Sequence, residues 1–177
     1  MSDTFFGTAN PLLPPPRHLS QIGKIAATWS QIESTMEVMI LGLYEIDLGR
    51  GLVFTANLSF QSRITMLHML ADGAIPDKAL AKELREMLPR LEKASGERND
   101  IVPAVWTKSE KSGHAKRLQV RVKGHKLKPT EIDYSAEDLI AIAERQYDLS
   151  VALADLSRRL GALDKLLSAP RHSSQRK

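Results

Sequence analysis

Apolar residues after Ser20 fall at Ile22, Ile25, Trp29, Ile32, Met36, Met39, Leu43 and Ile46, three and four apart. That spacing predicts one amphipathic helix of roughly 28 residues with a heptad-like seam, capped by Ser20 and stopped by Gly49 and Gly51. A second helix fits 58–71, with Phe60, Ile64, Leu67 and Ala71 inward and Gly73 ending it. A third opens at Asp77 and aligns Leu80, Leu84, Leu88, Leu91, Val102 and Val105. Pro89 is expected to kink or split it, because proline has no N–H to bond the Arg85 carbonyl. The period then changes to two. Leu118, Val120 and Val122 alternate with Gln119, Arg121 and Lys123, Gly124-His125 supplies a turn, and Ile132 and Tyr134 are expected on the buried side of the return strand. Pro129 confines that return strand to an edge. Ser135 and Asp138 form a variant capping box. The helix it opens repeats Leu139, Ile142, Gln146, Leu149, Leu153, Leu156, Leu160, Leu163 and Leu167, with Gln146 the only polar member. The predicted fold is mostly α: a bundle of four long helices with one β-hairpin inserted between the last two. At ~1.5 Å per residue the first and last helices are each about 40 to 45 Å long, matched as antiparallel partners.

The organisation follows from that pattern. Residues 1–17, with Pro11 and Pro14 to Pro16, read as an extended Pro-rich tail; 18–167 form one helical domain with its hairpin at about 116–134; 168–177 are a basic polar tail. The chain has 177 residues, 42% of them hydrophobic and 26% charged, which suits one globular core and disfavours wholesale disorder. It has no cysteine, which excludes disulfides, thiolate metal sites and a cysteine nucleophile. The longest apolar run, Val38 to Tyr44, is far short of the ~20 residues that span a bilayer, and the first residues lack the pattern of a secretory signal. A cytoplasmic protein without a membrane role is the expectation. No glycine-rich phosphate loop and no His-Glu-x-x-His motif occurs, so neither a metal nor another cofactor is expected.

Charge changes the picture. The net charge is only +4, yet residues 107–130 hold eight Lys or Arg against one acid, Glu110, which leaves the remainder acidic. A polyanion would meet one patch, and its expected contacts are Lys116, Arg117, Arg121, Lys123, Lys126 and Lys128. Base readout looks poor, because no aromatic residue alternates with these side chains.

One helix carries a second candidate. With Leu84 as zero and about 100° per residue, Arg98 falls at about 320°, the position of Leu80, inside the apolar stripe. A guanidinium there is expected to meet a carboxylate, such as Glu33 or Glu37, an anion or the solvent rim. The stretch Glu97-Arg98-Asn99-Asp100-Ile101-Val102-Pro103, following a helix with Trp29, Ile32 and Glu33, resembles the Arg-Asn-x-x-x-His signature of the HEPN superfamily. That resemblance implies a helical, dimeric fold, in many members a metal-independent ribonuclease, often in defence or toxin-antitoxin systems. Here Pro103 stands where the family has its His.

Metal-free RNA cleavage needs a group that titrates near neutrality and a cation to hold the phosphate. Arg98 can supply the cation, and Pro103 cannot move a proton. Asn99 is uncharged, and His114, in the basic loop, is the remaining candidate base. Three functions follow in order. The first is a catalytically degenerate HEPN-like homodimer that binds RNA or another polyanion through Arg98, Asn99 and the hairpin. The second is a helical interaction or dimerisation protein that uses its heptad seams on a protein partner, and the third is an active ribonuclease with a displaced base.

Overall fold

The computed structural model describes residues 13–123 and 126–169, with side chains for all of these except 120–128. Among the described residues six helices and three strands follow in the order α1 (Pro16–Leu43), α2 (Leu48–Thr55), α3 (Phe60–Gly73), α4 (Lys78–Ile101), β1 (Val105–Lys108), β2 (His114–Lys123), β3 (Lys126–Ser135), α5 (Ala136–Arg159) and α6 (Ala162–Ser168). The protein is mostly helical, with a small antiparallel sheet between α4 and α5. No helix among the described residues is long and apolar enough to cross a membrane.

Helix starts follow the capping chemistry, with shifts at both ends of α1. Proline suits the first turn of a helix, where its missing N–H would be unpaired anyway, so α1 opens at Pro16 rather than at Ser20. Gly49 and Gly51 do not end it. They lie within α2, whose cap is Asp47, with the Gly49 and Arg50 N–H groups donating to its carboxylate at 3.1 and 3.3 Å. Ser59 caps α3 through the Ser62 N–H, and Asp77 caps α4 through Ala79 and Leu80. The Ser135 capping box closes reciprocally: Ser135 N–H donates to Asp138 Oδ2 at 2.8 Å and Asp138 N–H to Ser135 Oγ at 3.1 Å. α4 runs unbroken through Pro89.

Two compact units divide the chain, and the division falls inside α1, α4 and α5. The larger unit comprises the described residues within Thr28–Ser95 and Tyr147–Lys177. Its core joins Trp29, Ile32, Met36 and Met39 of α1 to Ile64 and Leu67 of α3, Leu84, Leu88 and Leu91 of α4 and Leu149, Leu153 and Leu156 of α5. The seams of α1 and α5 are thus buried against their own chain. The end of the α5 seam departs from the pattern. Gly161 takes a left-handed φ of 64°, α5 stops at Arg159, and α6 buries Ala162 and Leu166 while Leu163 and Leu167 are exposed. α6 lies hard against α1: a Cβ on Gly42 would sit 1.9 Å from the Ala162 carbonyl oxygen.

The smaller unit takes the described residues within Met1–Ala27 and Gly96–Gln146. Ile25, Ile101, Leu139 and Ala143 form its buried centre, with Ile22, Val102, Trp106, Tyr134 and Ile142 packed around it. His18 is buried here, its Nε2 3.1 Å from the Tyr134 carbonyl. The sheet order is β1-β2-β3, with Val105 opposite Leu118 and Arg117 opposite Ile132. Val105 therefore belongs to a strand and not to α4, and it is 63% exposed.

The inward face of β2 is the reverse of the expected one. Ala115 and Arg117 are buried, which puts Leu118 on the opposite face, shared with Val105 and Glu131. Val120 and Val122, also expected inward, have side chains outside the described residues. Tyr134 packs on the core as expected, whereas Ile132 is 37% exposed.

Candidate nucleic-acid interface

The turn between β1 and β2 is locked by its own polar groups. Ser109 donates from Oγ to Asp133 Oδ1 at 2.7 Å and accepts from the Lys111 N–H at 3.0 Å. His114 places Nδ1 2.9 Å from the Ser112 carbonyl. A carbonyl only accepts, so Nδ1 carries a proton and is committed to the turn. As the first residue of β2, His114 pairs in register with Ser135. The candidate base is thereby fixed at the capping end of α5.

Arg98 and Asn99 lie near the end of α4, and the Arg98 Nη1 donates to Asn99 Oδ1 at 3.0 Å. Arg98 Nε is buried without a hydrogen-bond partner among the described residues. The partner found for Arg98 is Asn99 and not a carboxylate, and Glu37 accepts from the Thr55 hydroxyl. The helix ends at Ile101, so Pro103 sits in the exposed turn beyond it and not on the helical face of Arg98.

The carboxylate-held arginine is Arg117. Its Nη1 donates to the Asp100 carbonyl at 2.8 Å, lies 3.4 Å from Asp100 Oδ2, and the guanidinium sits 5.6 Å from the Tyr134 ring centre. At 3% exposure it is closed to a ligand, which removes it from the predicted phosphate contacts. Lys116 is engaged as well. Its Nζ is 3.1 Å from Glu131 Oε2, and that hydrogen bond holds its pKa above the ordinary lysine value. Glu97 pairs with Arg145 at 3.3 Å. The basic segment is thus neutralised where it joins the fold.

The distal half of the ribbon differs. The backbone register sets Arg121 opposite Lys128 and Lys123 opposite Lys126. The side chains of these four residues lie outside the described residues. No acidic residue occurs from Gln119 to Thr130. Two pairs of basic positions therefore stand opposite one another in the backbone register, with no acid between them in the sequence. Lys108 and Lys111 are exposed at the other end of the sheet.

Among the described residues no group of three or more His, Asp or Glu could hold a metal ion. Sequence reasoning missed β1 and the Arg117–Asp100–Tyr134 group. The run Val105-Trp106-Thr107 just past Pro103 was the available signal for the strand, since it is β-branched and aromatic and follows a helix breaker. No protein-family model, curated protein or solved structure matches this chain.

Proposed function

We propose that this chain is a polyanion-binding module that grips a phosphate backbone, foremost that of single-stranded RNA, with the distal half of the β2–β3 ribbon. The observation that carries this reading is the register of Arg121 with Lys128 and Lys123 with Lys126. Like charges directly opposite destabilise a ladder, and a phosphate chain bound at that end of the ribbon relieves both pairs at once. Lys116 and Arg117 play no part, because Glu131 and Asp100 already hold them. The resemblance to the HEPN signature supports binding without cleavage: Arg98 and Asn99 are retained, and proline stands at the position of the proton-transfer residue.

Four phosphate contacts at about −0.7 each give a slope of log K against log salt near −3, so a fourfold rise in salt weakens binding on the order of fifty-fold. Anisotropy of a labelled single-stranded RNA at several salt concentrations measures this. Arg121→Glu with Lys123→Glu should remove most of the slope while the circular dichroism stays that of the parent. Absence of binding by the parent at low salt, or a double variant that binds as the parent does, overturns the reading.

A further inference from the structure

The polarity of α2 is inverted. Its buried residues are Gly51 and Thr55, whereas Leu48, Leu52 and Phe54 are each 49% exposed and Val53 is 76% exposed. The inward face is made of small residues because the helix lies close on its neighbours. A Cβ on Gly51 would come within 2.6 Å of the Leu41 side chain, so a larger residue there would collide with α1. The Thr55 hydroxyl donates to Glu37 Oε1, and the Thr55 carbonyl accepts from Arg63 Nη2 at 3.3 Å. With Asp47 capping its other end, α2 is pinned in this orientation and its apolar side chains are turned out of the protein.

At about 100° per residue Val53 lies directly opposite the direction on which Gly51 and Thr55 centre. Leu52 and Phe54 stand about 100° to either side of Val53, with Leu48 about 40° beyond Leu52, so the apolar surface wraps about 240° of the helix. A helix seated in a protein groove uses a stripe of about 100°, and such a partner would leave Leu52 or Phe54 in water. A fluid apolar medium covers them all.

We infer that α2 is a membrane-surface anchor, lying in the plane of a phospholipid bilayer with Val53 toward the acyl chains and Leu52 and Phe54 along the headgroup boundary. Charge agrees. Arg50 is the only charged residue of α2, falls in the outward arc between Val53 and Phe54, and is 67% exposed. Its one ionic contact is loose, Nε to Asp47 Oδ2 at 3.7 Å, so the guanidinium stands ready for a lipid phosphate. Tyr44, exposed four residues ahead of Leu48, adds an aromatic ring of the kind that favours the interface. A helix about 12 Å long that lies in the interface needs no span, so the short apolar runs of the sequence are compatible with it. Nothing in this inference depends on RNA binding.

Sedimentation with vesicles of pure phosphatidylcholine tests the anchor without a net charge to attract the basic ribbon. The parent should be half-bound at roughly 0.1–1 mM accessible lipid, the weak and reversible range of a single acyl chain. Val53→Asp, at an exposed position, should weaken partition at least about ten-fold with an unchanged circular dichroism spectrum, and Val53→Leu should retain it. Val53→Trp should shift its emission to the blue on binding and be quenched by bromine on the acyl chains more strongly than the parent's own Trp29 and Trp106. A parent that stays in the supernatant at several millimolar lipid overturns the inference, as does a Val53→Asp variant that sediments like the parent. Arg121→Glu with Lys123→Glu should bind these vesicles as the parent does; loss of binding there would assign the contact to the ribbon and sink the anchor. Light scattering that finds a dimer dissolved by Val53→Asp, without vesicle binding, would give this face to a second copy instead.

Discussion

Arg117 and Asp100 are seventeen residues apart, and the Arg117 guanidinium takes both the backbone carbonyl and the carboxylate of Asp100 while lying over the Tyr134 ring. The end of α4 is thereby tied to the middle of the sheet. Removing the guanidinium leaves the Asp100 carbonyl without this donor and opens a gap beside Tyr134. Arg117→Ala should cost about 2–4 kcal/mol, read from the urea midpoint at unchanged m-value. Lys116→Ala, which breaks a solvent-facing pair one residue away, should leave the urea midpoint close to that of the parent.

The same pair of residues separates fold from binding. Because Glu131 holds Lys116, Lys116→Gln should change RNA affinity by less than about three-fold, against at least about ten-fold for Lys126→Glu with Lys128→Glu. Titrations of labelled RNA at low salt compare the variants directly, and equal losses at the two places would mean that the whole segment is one diffuse patch.

Three glycines of the long helices should respond in opposite senses. Gly42→Ala drives a methyl group to 1.9 Å from the Ala162 carbonyl oxygen, which is backbone and cannot swing aside, so a loss of about 2–3 kcal/mol is expected as α6 is displaced. Gly23→Ala and Gly96→Ala add a methyl with no atom within 4 Å, and each should gain about 0.5–1 kcal/mol from helix propensity. Thermal melts of the three single variants test the contrast.

Acid should act through Asp138 and Asp155. The Ser135 hydroxyl and N–H hold the Asp138 carboxyl below the ordinary 3.8, and Arg158 does the same for Asp155. A lowered folded value means that the contribution is complete above the ordinary value and fades as pH falls through the folded one. Urea midpoints should therefore be level between about pH 5 and 7 with respect to these groups and decline below about pH 4. Asp138→Asn should reduce midpoint stability at pH 7 and shallow the acid decline; an unchanged acid limb in that variant would remove the cap from the account.

Period-of-three-and-four spacing identifies the buried faces of α1, α3, α4 and most of α5, because apolar side chains make up most of what those helices bury, with Gln146 the buried polar member of the α5 seam. It failed at Leu163 and Leu167, where one left-handed glycine re-aims the chain. In β2, alternation showed that the strand has two unlike faces but not which one is buried. Residue type favours the valine and leucine face, whereas the core takes Ala115 and an arginine lying over a tyrosine. A buried arginine has no signature in the sequence, since its carboxylate comes from another element. For the same reason helical angle singles out Arg98, whereas the basic run alone places Arg117 on the surface. The register of the distal cations was legible only in part: the basic run is plain, while the direct opposition of Arg121 to Lys128 depends on the turn.

His18 meets the Tyr134 carbonyl across 116 residues of sequence, and the centre of the smaller unit likewise joins Ile25 to Ile101 and Leu139. During synthesis at roughly 5–20 residues per second, the start of α1 waits on the order of 6 to 23 s before its partners emerge from the ribosome. Until then the apolar side chains of Ile22 and Ile25 lack the groups that bury them in the fold. The larger unit gains α1, α3 and α4 early and completes with α5, so neither unit can close its core before α5 has been made.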